Sequence, residues 1–205
     1  MERINKNHVT LVGQVEKDFL FSHETHGKRM FEGIIAVERS SGYKDIIPVM
    51  IDGSNLDLEK DYTGETVKVV GKYLSYNLHT ETTHNLKLFV AAKSVEVVPA
   101  DTPYENHVVL EGYLCKEPIY RKTPLEREIT DVMLAVDHAP GRAAYIPLIV
   151  WDEQAKRSAD LKIGDCIKIH GRIQSREYVK TLNETETETR VAYEVSVYHV
   201  RRMNG

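Results

Sequence analysis

The 205-residue sequence contains no apolar run near the roughly 20 residues that a membrane-spanning helix needs. An α-helical membrane protein is therefore excluded. Its opening, Met1-Glu2-Arg3-Ile4-Asn5-Lys6, lacks the apolar centre of a signal peptide, so a cytoplasmic location is expected. Cysteine is scarce. Cys115 and Cys166 cannot build a disulfide framework, which agrees with a reducing compartment. There is no glycine-rich phosphate loop and no Gly-x-Ser-x-Gly elbow, so nothing supports nucleotide or ester hydrolysis, and no enzyme is expected. His23-Glu24-Thr25-His26 offers two imidazoles without a nearby Cys or third ligand, so neither metal nor cofactor is expected. Basic excess is also missing: 27 Lys and Arg stand against 31 Asp and Glu, a net −4. Taken as a mean, that balance argues against nucleic acid. What the chain does have is apolar side chain, 41% of residues, enough for a core and against wholesale disorder.

The chain also repeats itself. Asn7, His8, Val9, Leu11, Gly13 and Lys17 recur as Asn106, His107, Val108, Leu110, Gly112 and Lys116, an offset of 99. Ile47-Pro48-Val49 matches Ile146-Pro147-Leu148 at the same offset. Gly64-Glu65-Thr66-Val67-Lys68-Val69-Val70-Gly71 matches Gly164-Asp165-Cys166-Ile167-Lys168-Ile169-His170-Gly171 at an offset of 100. Two copies of one unit of about 100 residues explain this. Pro99-Ala100-Asp101-Thr102-Pro103 has two prolines and no periodicity. It reads as a stiff linker at 99–103 between domains 1–98 and 104–205.

Each unit reads as strands. Val9, Leu11, Gly13 and Val15 share one face by alternation. Further strands are expected at Phe31–Val37, Asp45–Ile51, Thr66–Tyr76 and Leu86–Val98, and in the second unit at Val108–Leu114, Ile129–Val136, Ala144–Trp151, Cys166–Tyr178 and Arg190–Val200. A short helix is expected after the third strand of each unit, capped by Ser54 over Asn55–Lys60 and by Asp152 over Glu153–Ala159. The expected architecture is all-β: two tandem OB-folds, five-stranded Greek-key barrels with a short helix between strands three and four.

One strand of the second unit carries chemistry. Ile167, Ile169, Gly171 and Ile173 suit the core, and the opposite face shows Lys168, His170, Arg172, Gln174, Arg176 and Tyr178. Cations track phosphates while a ring stacks on any base, which is the pairing that single-strand binding needs. A merely solvated strand face is the plainer reading, since antiparallel sheets ordinarily face water on one side. In the preceding strand Ile146, Leu148 and Val150 point one way and Tyr145 and Trp151 the other. Trp151 has the plainer reading of packing on the helix that follows. The first unit keeps Lys68 and Lys72, with Tyr76 as a ring, but sets Ile46, Asp52 and Leu78 where the second has Tyr145, Trp151 and Tyr178. The cationic pairs Lys28-Arg29 and Arg121-Lys122 flank the first hairpins, and loops near Thr80–His84 and Lys180–Arg190 are read as solvated hairpin tips.

The run Asn106-His107-Val108-Val109-Leu110-Glu111-Gly112 leading to Glu117-Pro118 resembles the opening strand of bacterial single-stranded DNA-binding proteins (SSB). Tyr145–Trp151 and Ile169–Tyr178 resemble that family's third and fourth strands, and the first unit matches in Asn7–Val15, Pro48 and Gly64–Gly71. The resemblance implies a tandem two-barrel variant that coats and protects single-stranded DNA in replication, repair or recombination. It implies stacking by Tyr145, Trp151 and Tyr178 and phosphate contacts by Lys168, His170, Arg172 and Arg176, with Lys68, Lys72 and Tyr76 in the first unit. It further implies a homodimer presenting four barrels, with Val9–Val15 and Val108–Leu114 pairing across chains. The family's acidic C-terminal tail is absent after Arg201-Arg202-Met203-Asn204-Gly205, which puts tail-borne recruitment of replication or repair proteins in doubt. The alternative is a protein-interaction scaffold like the primosomal protein PriB, from a replication-restart or mobile-element complex. The acidity has a location: residues 1–102 carry 12 cationic and 15 acidic side chains, residues 103–205 carry 15 and 16.

Overall fold

A computed structural model describes residues 7–79, 84–139, 141–181 and 187–203. The strands are β1 (Asn7–Thr25), β2 (Lys28–Glu38), β3 (Lys44–Asp52), β4 (Thr66–His79), β5 (His84–Val97), β6 (Glu105–Leu114), β7 (Ile119–Lys122), β8 (Glu128–Ala139), β9 (Arg142–Trp151), β10 (Cys166–Thr181) and β11 (Thr187–Arg202). They form one continuous sheet in the order β2-β3-β5-β4-β1-β6-β10-β11-β9-β8-β7. Extra pairings of β2 with β1 and of β6 with β8 curl each end of it into a closed five-stranded ring. β7, not foreseen in the sequence, adds to β8 outside the second ring.

The repeated residues mark where the rings close. Val9, Leu11 and Val15 point into the first ring, and Val108, Leu110 and Leu114 into the second, all buried in one continuous core cluster. A Cβ on Gly112 would strike the carbonyl oxygen of Ala135, and one on Gly71 that of Ala91, so backbone crosses backbone at these points. Asn7 and Asn106 end their strands identically. Asn7 Nδ2 donates to the Tyr73 carbonyl at 2.8 Å and its Oδ1 accepts from Tyr73 N at 2.7 Å. Asn106 does the same with Ile173, at 2.7 and 2.9 Å. Each amide extends a backbone ladder where the neighbouring strand runs out.

Two expectations are corrected. The first strands do not pair across chains: β1 and β6 pair antiparallel within the chain, from Asn7↔Leu110 to Val12↔Glu105. Val9 lies opposite its own repeat, Val108, so a local dyad passes between them. These edges have already consumed their ladder hydrogen bonds on each other, so a second copy cannot use them. The helices also differ from expectation. In the first ring only a 3-10 turn forms, Gly53–Asn55, capped by Asp52 rather than Ser54. In the second, α1 spans Asp152–Ser158, and Asp152 is its first residue, not its cap. Asp152 sits at φ 54°, and its carboxylate pairs instead with Arg127 at 2.8 Å.

Among the described residues no helix is long and apolar enough to cross a membrane, and Cys115 and Cys166 are half-buried. The hairpin tips at 80–83 and 182–186, read from sequence as solvated loops, lie outside the described residues.

Candidate nucleic-acid interface

The outer face of β10, β11 and β9 holds the candidate site. The register aligns Arg172 with Ser196 and Ser196 with Ile149 across the three strands. At the β9 end, Trp151 is half-buried, and its indole N–H donates to Ser196 Oγ at 3.0 Å. That bond fixes the ring's plane. The Arg127 guanidinium lies over the indole, 4.5 Å from its centroid. Asp152 holds Arg127 in place. Trp151 therefore lies beside α1 and also lines an open groove of about 900 Å³ with Arg127, Arg172, Arg176 and Tyr198.

The cationic strand face is present but uneven. Arg176 is exposed and its guanidinium stands 5.9 Å from the Tyr178 ring centroid, so cation and ring are presented together. Gln174 is buried and donates to Glu194 at 2.6 Å, which interrupts the ladder. Arg172 is half-buried with a buried Nε lacking a hydrogen-bond partner. Burial first, and the nearby Arg39 charge second, hold its pKa below the usual guanidinium range against the smaller opposing pull of Asp45. Lys168 stands opposite Glu111 in the ladder. His170 stacks on His107 with ring centroids 5.6 Å apart. Its pKa is lowered by burial, then by His107, Lys168 and His199.

Tyr145 is exposed but lies six residues along β9 from Trp151, about 20 Å in an extended strand. Its backbone amide donates to Ser75 Oγ at 2.8 Å, so this end of β9 abuts β4 of the first ring, and Tyr145 does not line the Trp151 groove. The first ring's own face has exposed Lys68 and Lys72, and an exposed Tyr76 edge-on to Phe89 at 5.7 Å. Asp52 occupies the position of Trp151, bound by Lys28 at 2.7 Å and by the Ser54 amide. Those contacts hold its carboxyl at about 2, a fixed anion on that face. The cationic pairs are engaged. Arg29 lies over Phe21 and Phe31, while Arg121 and Lys122 pair with Asp131 and Glu126.

Several residues here were invisible to spacing. Arg127 and Arg39 reach the groove from other strands and turns. Tyr198 is 56% exposed because it is the unpaired residue of a bulge: His170 pairs with His199 and Gly171 with Val197, leaving Tyr198 between them. It stacks near His107 at 6.3 Å. Only the repeat of His8 as His107 gave any signal here, and that signal concerned the fold.

Residues 105–203 match the family model described as "Single-strand binding protein family". The chain is 36% identical over 80 residues to "Single-stranded DNA-binding protein 2" of Listeria innocua, covering 36% of this chain and 50% of the relative. It is 33% identical over 107 residues to "Single-stranded DNA-binding protein A" of Bacillus subtilis, covering 49% and 62%. The chain thus spans about half the length of the curated relatives it matches. The wild-type single-stranded DNA binding protein from Thermus aquaticus aligns over 97% of this chain and 93% of its own, with a TM-score of 0.78 and 19% identity. A deletion mutant of the same protein aligns over 97% and 95%, with a TM-score of 0.75 and 20% identity. At that identity the likeness is one of fold. The similarity to the single-strand binding protein family falls on residues 105–203, the second closed ring and the face just described.

Proposed function

We propose that this chain is a non-enzymatic single-stranded DNA-binding protein with two tandem OB-folds, residues 1–98 and 104–205, joined at 99–103. The observation that carries the reading is the groove beside Trp151. It sets the β9 indole beside two β10 arginines: Arg172, whose buried Nε has no hydrogen-bond partner among the described residues, and Arg176, which stands by the Tyr178 ring. Rings accept bases of any identity and guanidinium groups neutralise the phosphates between them. Lys168 extends the positive surface, His170 adds to it once protonated, and Tyr145, with Lys68, Lys72 and Tyr76, continues the binding face over the first ring. The bound strand is held unpaired and covered, the condition DNA needs during replication, repair or recombination. Two chains assemble through a surface other than β1 and β6, giving four barrels.

Titration with poly-dT tests this. Trp151 is the chain's single tryptophan, so its fluorescence reports the groove alone. Quenching is expected, with affinity falling as salt rises because counterions are released from the strand. No quenching at low salt refutes the reading. Light scattering at the mass of a dimer is expected in the same buffer.

A further inference from the structure

The groove beside Trp151 is walled on one side by the other half of the chain. Arg39 and Tyr43, from the turn between β2 and β3 of the first ring, line it together with Arg172, Ser175 and Arg176. Arg39 is committed elsewhere. It binds the buried Asp45 carboxylate through Nε at 2.7 Å and through a second nitrogen. Asp45 also accepts from Ser175 N at 2.9 Å, and Ser175 Oγ accepts from Ile46 N at 2.9 Å. These bonds clamp the turn onto β10. The Arg39 guanidinium then covers one side of the Tyr43 ring, 4.6 Å from its centroid. Tyr43 Oη donates to the Ser175 carbonyl at 3.1 Å, which fixes the ring's far end. Even so, Tyr43 remains 45% exposed. It is a rigid ring with one side covered by a cation, set beside Arg172, whose buried Nε has no hydrogen-bond partner among the described residues.

We propose that the groove is a composite site shared by the two halves, in which Tyr43 of the first ring stacks a base and Arg172 of the second holds the adjoining phosphate. This rests on the single-strand reading and adds a role for the half of the chain outside the family match. A half-buried guanidinium without an acceptor is costly unless an anion completes it. A ring held from both ends presents stacking area without losing side-chain freedom on binding. The arrangement belongs to this groove and not to the repeat as such. Counting 99 residues on, Tyr43 and Arg39 become Arg142 and His138, and Asp45 becomes Ala144.

The test uses the full chain and dT oligonucleotides carrying 5-iodouracil. Irradiation is expected to crosslink the peptide that contains Tyr43. Tyr43→Ala is expected to weaken binding about fivefold to a hundredfold, the range for loss of one stacked base. Tyr43→Phe keeps the ring, loses the bond to Ser175, and is expected to retain most of the affinity that Tyr43→Ala loses. Arg172→Gln is expected to make the salt dependence shallower by about 0.7 in log–log slope. Wild-type quenching without a Tyr43 crosslink, and with Tyr43→Ala binding normally, overturns the composite site and leaves the single-strand reading intact. Equal losses in Tyr43→Ala and Tyr43→Phe, with lowered melting temperatures, make Tyr43 a strut and also overturn it. An unchanged slope in Arg172→Gln removes the phosphate half. A wild type that neither quenches nor crosslinks overturns the single-strand reading itself.

Discussion

Replacing Asp45 by Ala should destabilise the chain by about 3–5 kcal/mol, and the structure says why. The carboxylate is fully buried and accepts from two Arg39 nitrogens and from the Ser175 amide. Removing one partner of a buried ion pair typically costs about 3–5 kcal/mol, because the other charge is left uncompensated. Arg39 keeps 22% of its side chain exposed and can turn toward water, which pulls the cost to the lower end. The Ser175 amide cannot follow it, and a buried donor left unmatched adds about 1–3 kcal/mol. The double variant Asp45→Ala with Arg39→Met should therefore cost less than the two single changes summed, since no charge is orphaned. Urea unfolding followed by circular dichroism measures all three. A loss below about 1 kcal/mol for Asp45→Ala, or strict additivity in the cycle, would refute this account of the junction.

Three further outcomes are expected. Trp151→Ala with Tyr178→Ala should reduce poly-dT affinity far more than Tyr76→Ala, because Asp52 places a fixed anion on the first ring's face; equal losses in a filter-binding assay contradict this. The lowered pKa of His170 means that the unfolded chain binds the proton more readily, so its stability contribution is whole above about 6.5 and declines as pH falls below that. A phosphate beside it favours the charged ring, so affinity should rise as pH drops from about 7.5 to about 5.5, a trend weakened in His170→Gln. His107, Lys168 and His199 face the same ring and oppose its charging, and identical pH profiles for variant and wild type would remove His170 from the site. Gly112→Ala should destabilise by about 1–3 kcal/mol or more, since the new methyl meets the Ala135 backbone rather than a side chain that can move. Thermal melting tests this, and an unshifted melting temperature contradicts the close approach.

How the sequence related to the structure differs by element. Alternation located the strands because a half-buried strand must bury every second residue; Val9, Leu11 and Val15, or Ile167, Ile169 and Ile173, could satisfy water and core in no other way. The repeat located the ring-closing positions, since Gly13, Gly71, Gly112 and Gly171 and the two asparagines answer backbone demands that both copies share. The first-ring helix expected from Ser54, a good cap by type, does not form, because Asp52 accepts from the Ser54 amide and closes only a 3-10 turn. The outward set on β10 was legible as a pattern. That Gln174 lies buried against Glu194 was not, because that depends on which residue faces it across the strand.

By itself, then, the sequence determined an all-β chain in two similar parts, with a cationic, ring-bearing strand face in the second. Those properties follow from local periodicity, and periodicity is written in neighbouring residues. Only the tertiary structure decided that β1 and β6 pair within one chain, that the Tyr145 end of β9 abuts the first ring while Trp151 lies in the groove, and that Tyr43 joins that groove. It also decided that the net −4 does not govern the site. Acidic residues such as Asp45, Asp131 and Asp152 are each turned onto an arginine, and the buried Nε of Arg172 has no hydrogen-bond partner among the described residues. Contacts between residues 130 positions apart, such as Asp45 with Ser175, set that choice, and no local spacing encodes them.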